Sequence, residues 1–149
     1  MTVAGAAGGV KYISQMKMAD ARLLERELKA KLAVTERILP GGYLYMTDIL
    51  GDPSYVNQNG RVFASVFSEK EVDVVMTVAT KGIPLAYAVA SHLHVPVVVV
   101  RRDSRVTEGS AVSINYVSGS LKRIQTMTLA RRSLTAGKRV LVVDDFMKA

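Results

Sequence analysis

The chain has 149 residues, 49% of them hydrophobic, enough for one domain with a real core. It holds no cysteine, so disulfides and thiolate metal sites are excluded and a cytoplasmic protein is expected. The net charge of +7 is unevenly placed: residues 1–100 carry 10 Lys/Arg against 9 Asp/Glu, whereas residues 101–149 carry 10 against 4. A basic C-terminal third favours a phosphorylated partner, a phosphate ester or nucleic acid, although any one doublet such as Arg131-Arg132 is by default solvated surface. No apolar run approaches the ~20 residues of a spanning helix, and the first residues lack a signal-peptide layout, so no membrane partner is expected.

Residues 1–13 read as a lead-in. Within it Gly-Ala-Ala-Gly-Gly, 5–9, lacks the Lys-Ser/Thr of a phosphate loop and is expected to be flexible. From Ser14 to Leu39 the spacing of Met16, Ala19, Leu23, Leu28 and Leu32 predicts an amphipathic helix, supported by the pairs Glu25–Lys29 and Glu27–Lys31 and stopped by Pro40-Gly41-Gly42. A short strand, Tyr43 to Thr47, follows. After Gly51-Asp52-Pro53 a second helix is expected to turn Val62, Phe63, Val66 and Phe67 inward.

The pattern then changes. Val-Asp-Val-Val-Met-Thr-Val, 72–78, is apolar on both faces, as a central parallel strand must be. The loop 79–82 leads into a helix from Ile83 to about Leu93 with Pro84 in its first turn, and 96–102 is a second buried strand, giving a βαβ unit. Ala-Val-Ser-Ile-Asn-Tyr-Val-Ser and Arg-Ile-Gln-Thr-Met-Thr-Leu-Ala, joined by Gly-Ser-Leu-Lys, alternate polar with apolar and read as a polar hairpin arm outside the main sheet. Thr135-Ala136-Gly137-Lys138 turns into the last strand, Arg-Val-Leu-Val-Val at 139–143. The fold class is α/β, a parallel sheet flanked by helices.

Ligands of such sheets sit at the carboxyl ends of the strands. Three ends carry polar residues: Thr80-Lys81-Gly82, Arg101-Arg102 and Asp144-Asp145. Gly82 before a helix lets backbone amides face a phosphate, with Lys81 adding a point charge. The aspartate pair fits Mg²⁺, bound directly or through water, a vicinal diol such as ribose, or a solvated turn. His92 and His94 have no carboxylate at ligand spacing and read as structural; neither their spacing nor the lack of cysteine supports zinc, and no metal ligand is assigned.

Val-Leu-Val-Val-Asp-Asp-Phe-Met-Lys-Ala resembles the phosphoribosyl pyrophosphate (PRPP) motif of type I phosphoribosyltransferases. Together with Thr-Val-Ala-Thr-Lys-Gly-Ile-Pro-Leu-Ala-Tyr-Ala, the arm Val-Thr-Glu-Gly-Ser-Ala-Val-Ser-Ile-Asn-Tyr-Val-Ser-Gly-Ser and Arg-Ile-Gln-Thr-Met-Thr-Leu-Ala-Arg-Arg-Ser-Leu, it resembles the purine operon repressors of Gram-positive bacteria over nearly the whole chain. The resemblance implies a type I phosphoribosyltransferase fold. It implies that Asp144 and Asp145 hold the ribose hydroxyls of PRPP, and that Phe146, Met147, Lys148 and Ala149 begin the loop around the 5-phosphate. Ala79, Thr80, Lys81 and Gly82 match the pyrophosphate loop, and Arg101 or Arg102 a basic residue reaching the same group. The arm from Ser104 to Ser120, with Thr107, Glu108 and Tyr116, matches a mobile loop. Residues 44–53 stand where related enzymes have a base-side hood, without a base contact assigned to Tyr45 or Asp48.

The sequence ends before the Gly-Gly-Thr that completes the motif and shows no winged helix, so residues 14–149 are expected to be the front part of an effector domain truncated at both ends. The function implied is that of a PRPP-sensing regulator of purine biosynthesis genes, with PRPP relieving repression. Its expected partners are PRPP, operator DNA in the full-length protein and a second copy in a homodimer, and Mg²⁺ would accompany PRPP. No catalytic residue is implied. The alternative is an active purine phosphoribosyltransferase that converts Mg²⁺-PRPP and a base to nucleotide and pyrophosphate.

Overall fold

A computed structural model of the chain describes residues 2–4, 10–12, 15–102, 109–118 and 123–146. The described residues form four helices and nine strands, and the expected α/β class holds. At the centre is β5 (Val74–Val78), whose apolar sequence on both faces follows from its position: Val74, Val75 and Thr77 are all buried. Helix α4 (Ile83–Leu93) crosses from it to β6 (Val97–Val100), which pairs parallel with β5 from Val75↔Val97 to Val78↔Val100. On the other side β9 (Val140–Val142) pairs parallel, Val74↔Val140 to Met76↔Val142, so the order is β6-β5-β9 and all three strands end at one edge. Pro84 lies in the first turn of α4, as expected, and the helix ends in left-handed His94, whose N–H bonds to Ala90 O.

Helix α3 (Pro53–Phe67) starts from Asp52, whose Oδ1 accepts from Tyr55 N at 3.1 Å. It packs on α4 through small residues. A Cβ built on Gly60 would lie 2.5 Å from Ala88 Cβ and 2.7 Å from its carbonyl carbon. The main core therefore joins Ala64, Val75, Ala86, Val89, Ala90, Leu93 and Val143. A second cluster, Leu24, Ile49 and Tyr55, seats α1 (Met18–Leu32) and the short α2 (Thr47–Gly51) against α3.

The antiparallel ribbon of β7 (Ala111–Ser118) and β8 (Arg123–Ala130) has the bounds its alternation predicts, in register from Ala111↔Ala130 to Ser118↔Arg123. It joins the end of β6 by one bridge, Arg101 N to Thr128 O at 2.9 Å and Thr128 N to Arg101 O at 2.7 Å. The connecting residues 119–122 lie outside the described residues.

Several sequence expectations need correction. The first helix spans Met18–Leu32, not Ser14 to Leu39. At its start Met16 N donates to Ser65 Oγ at 2.8 Å, and Ser14 lies outside the described residues. Beyond Leu32, Thr35–Arg37 form a 3-10 turn, and β3 (Ile38–Leu39) pairs with β4 (Tyr43–Leu44), the two residues that form of the expected Tyr43–Thr47 strand. Its apolar stripe is Leu24, Leu28 and Leu32, while Leu23 is 57% exposed. Of the residues expected to face inward from α3, Phe63 and Val66 are exposed, because the buried line is Val56, Gly60 and Ala64. Within the lead-in, β1 (Thr2–Ala4) and β2 (Val10–Tyr12) pair antiparallel; residues 5–9 lie outside the described ones.

Candidate functional site

The three strand ends meet around a cavity of about 480 Å³ lined by Val78, Ala79, Thr80, Lys81, Arg102, Asp144, Asp145 and Phe146. Topology makes this convergence: β5 delivers the 79–82 loop, β6 delivers Arg102, and β9 runs through Val143 into the aspartates. Val143 N bonds to Met76 O at 2.9 Å, which holds the last segment in sheet geometry up to Asp144. The loop itself is anchored by Ala79 N to Val100 O at 2.8 Å, and the Ala79–Thr80 peptide is cis.

Gly82 does not line the cavity. It is buried as the residue before α4, and a Cβ there would collide with the Asp144 carboxylate and the Thr77 hydroxyl, with Asp144 Cα only 3.2 Å away. The glycine is needed because the aspartate strand passes directly over the helix start. Arg102 is exposed at the cavity, whereas Arg101 is not among its lining residues and its main chain carries the bridge to Thr128. Successive residues of extended chain point to opposite sides, and the register with Thr128 decides which arginine faces the cavity.

The aspartates are unequal. Asp145 N donates to Asp144 Oδ1 at 2.9 Å. Burial, with the neighbouring Asp145 charge, pushes the Asp144 carboxyl above its ordinary value, and Arg102 opposes this. The site thus has cations, Lys81 and Arg102, together with the α4 N-terminus on one side and two carboxylates on the other. This arrangement suits a ligand that is anionic at one end and a hydrogen-bond donor at the other, as a phosphorylated sugar is. Among the described residues no group of three or more His, Asp or Glu gathers as a metal cage.

Two further spaces adjoin the acids. One of about 310 Å³ runs between the Gly41-Gly42-Tyr43 turn and Lys81, Asp145 and Phe146. The other, about 130 Å³ and mainly apolar, lies beneath α2 and is lined by Met46, Ile49, Tyr55 and Phe63 as well as both aspartates. Residues 44–53 therefore do overhang the site. Asp48 faces Arg37 instead, in a bidentate pair at 2.7 and 2.6 Å, and the same guanidinium donates to Tyr45 O at 3.1 Å. Arg37 holds the Asp48 carboxyl down to about 2.

Sequence reasoning missed the Gly41-Gly42-Tyr43 turn and Thr77. The first looked only like a helix stop, and the second like one more residue of an apolar strand. Tyr116 lies away from the cavity, its hydroxyl donating to Gln125 Oε1 at 2.8 Å across the ribbon. Ser104, Thr107, Glu108, Met147, Lys148 and Ala149 lie outside the described residues. His92 is structural, its Nε2 2.9 Å from Asn57 Oδ1.

The chain is similar to known proteins along its whole length. The chain is 67% identical over its whole length to the purine biosynthesis transcriptional repressor PurR of Bacillus subtilis, and 52% identical over 99% of its length to the purine biosynthesis transcriptional activator PurR of Lactococcus lactis. It spans about half the length of these relatives, 52% and 54%. It is also 31% identical, over 82% of the chain and 65% of the relative, to the xanthine phosphoribosyltransferase of Lactiplantibacillus plantarum. Among solved structures, the adenine phosphoribosyltransferase of Saccharomyces cerevisiae superposes with a TM-score of 0.67 at 18% identity, covering 81% of this chain and 70% of that one, which shows the fold. The phosphoribosyl transferase domain family matches residues 46–149, and the chain, with a type I phosphoribosyltransferase fold, belongs to that family.

Proposed function

We propose that this chain is the effector-sensing part of a transcriptional regulator of purine biosynthesis genes, and that its effector is PRPP. The observation that carries the reading is the meeting of Lys81, Arg102, Asp144 and Asp145 around one cavity, in a chain 67% identical to a purine repressor. In this reading the 79–82 loop and Arg102 take the pyrophosphate and the two carboxylates accept from the ribose hydroxyls. Phe146, which lines the cavity, is assigned to the side of the 5-phosphate. Asp144 and Asp145 are the carboxylates that would meet a Mg²⁺ accompanying PRPP, directly or through water, and the ion would supply neutralisation of the diphosphate charge. Arg101 acts through the bridge to the ribbon.

Binding changes the affinity of the intact protein for operator DNA, and DNA changes PRPP affinity by the same factor. PRPP relieves repression where the regulator represses. The Lactococcus lactis relative is named an activator, so the sign of the response belongs to each regulator. The intact protein works in the cytoplasm as a homodimer, and no helix among the described residues is long and apolar enough to cross a membrane. An electrophoretic shift of purine-gene control regions by the intact protein, with and without PRPP, tests the reading. A PRPP-dependent change in the shift supports it, and an unchanged shift overturns it.

The second reading, a purine phosphoribosyltransferase, is favoured by the 31% identity to a xanthine phosphoribosyltransferase. Pyrophosphate release from PRPP with xanthine, guanine, hypoxanthine or adenine would establish it. The absence of turnover alongside PRPP-dependent DNA release would leave the regulator.

A further inference from the structure

Thr77 stands out among the buried residues. It is fully buried at the penultimate position of β5, and its Oγ1 has no hydrogen-bond partner among the described residues. An unmatched hydroxyl in an apolar interior is unfavourable. Asp144 Oδ1 is an acceptor of the right kind near it. Thr77 Oγ1 and Asp144 Oδ1 crowd the same point, the one a Cβ on Gly82 would occupy. The absence of a side chain at position 82 leaves room for both the hydroxyl and the carboxylate at that point.

We propose that Thr77 is a positioning residue for Asp144, its hydroxyl donating to Oδ1 after a slight turn of the aspartate side chain. Oδ1 already accepts from Asp145 N at 2.9 Å. A second donor from beneath fixes the plane of the carboxylate and leaves Oδ2 to accept from the ligand. Rotation of an unanchored carboxylate is freedom that a bound diol must remove, so fixing it beforehand favours binding. The bond forms in the free protein and persists in the complex. The inference rests on the reading above in which Asp144 accepts from a sugar hydroxyl, but the proposed contact needs no ligand and is measured without one.

The test uses the intact protein carrying Thr77→Val, which keeps the shape and removes the donor, and Thr77→Ser, which keeps the donor. PRPP and inorganic pyrophosphate are the probes, because pyrophosphate has no hydroxyls for Asp144. Thr77→Val is expected to weaken PRPP binding about 10-fold, the range for a hydrogen bond to a charged group. Pyrophosphate affinity stays within about twofold, and Thr77→Ser restores PRPP binding. Exchange of the Asp145 amide, measured without ligand, is expected to be faster in Thr77→Val and normal in Thr77→Ser.

PRPP affinity unchanged in Thr77→Val overturns the proposal, as does an equal loss for both probes. If the unaltered protein binds no PRPP, the effector reading fails by itself and amide exchange decides the contact. Acceleration confined to Thr77→Val upholds it, and an unaltered rate refutes it.

Discussion

Replacing Gly82 by alanine separates the site from the scaffold. The backbone at Gly82, φ −69° and ψ −16°, is ordinary helical geometry, so alanine meets no backbone strain and would restrict the unfolded chain, a gain of about 0.4–1 kcal/mol. Against this, the new methyl collides with the Asp144 carboxylate and Thr77 hydroxyl and sits 3.2 Å from Asp144 Cα. Overpacking of that kind destabilises by about 1–3 kcal/mol. The net loss is on the order of 1–2 kcal/mol, a fall of roughly 2–8 °C in melting temperature for a domain of this size. Relief comes by pushing Asp144 away, since Thr77 is held within β5. PRPP affinity should therefore fall by more than about 10-fold in a protein that still folds, as loss of a hydrogen bond to a charged group predicts. Thermal unfolding and PRPP titration on the same preparation read both quantities. A Gly82→Ala protein that binds PRPP like the unaltered one would refute the account of the helix start.

Other substitutions probe separate parts of the structure. Lys81→Ala and Arg102→Ala should each weaken PRPP and pyrophosphate about 10-fold by direct titration, through loss of a charge-assisted contact, while Arg139→Ala should not, because Arg139 pairs with Glu71 and Asp73 away from the cavity. Gly60→Ala should destabilise by about 1–3 kcal/mol in chemical unfolding, since its methyl meets the Cβ and main chain of Ala88, neither of which can swing aside. The Arg37–Asp48 pair should leave an acid signature. Hydrogen bonding to Arg37 lowers Asp48 from 3.8 to about 2. A depressed folded value contributes stability that is complete above the unfolded value and is lost as pH falls through the folded one. Melting temperatures of the unaltered protein and Asp48→Asn should thus differ above pH 4 and converge toward pH 2.

What the sequence reveals and conceals follows the range of the forces involved. The bounds of β7 and β8 are legible because strict alternation and a Gly-Ser turn are local signals. Helix α4 is announced by Pro84, and the apolar run of β5 matches a strand covered on both faces. The end of α1 is not local. Tyr45 N bonds to Arg37 O at 2.8 Å while the Arg37 side chain grips Asp48, and these long-range contacts take residues 35–39 out of a helix their neighbours would continue. The face of α3 was misjudged for a related reason. Large apolar residues draw attention, yet the closest approach of α3 to α4 is made by Gly60 over Ala88.

At the site, the residue types at the strand ends were legible, but not their roles in three dimensions. Neither the choice of Arg102 over Arg101 at the cavity nor the position of Thr77 under Asp144 has a sequence signature. Both depend on register, the first with Thr128 and the second with the strand that carries the aspartates across Gly82.

Calorimetric titration of PRPP and Mg²⁺ into the intact protein, beside the double variant Asp144→Asn and Asp145→Asn, tests the central claim most directly. The account predicts saturable binding to the unaltered protein and a loss of about 100-fold or more in the variant, as removal of two carboxylate acceptors implies. Equal affinity for the two proteins, or no binding to either, would contradict it.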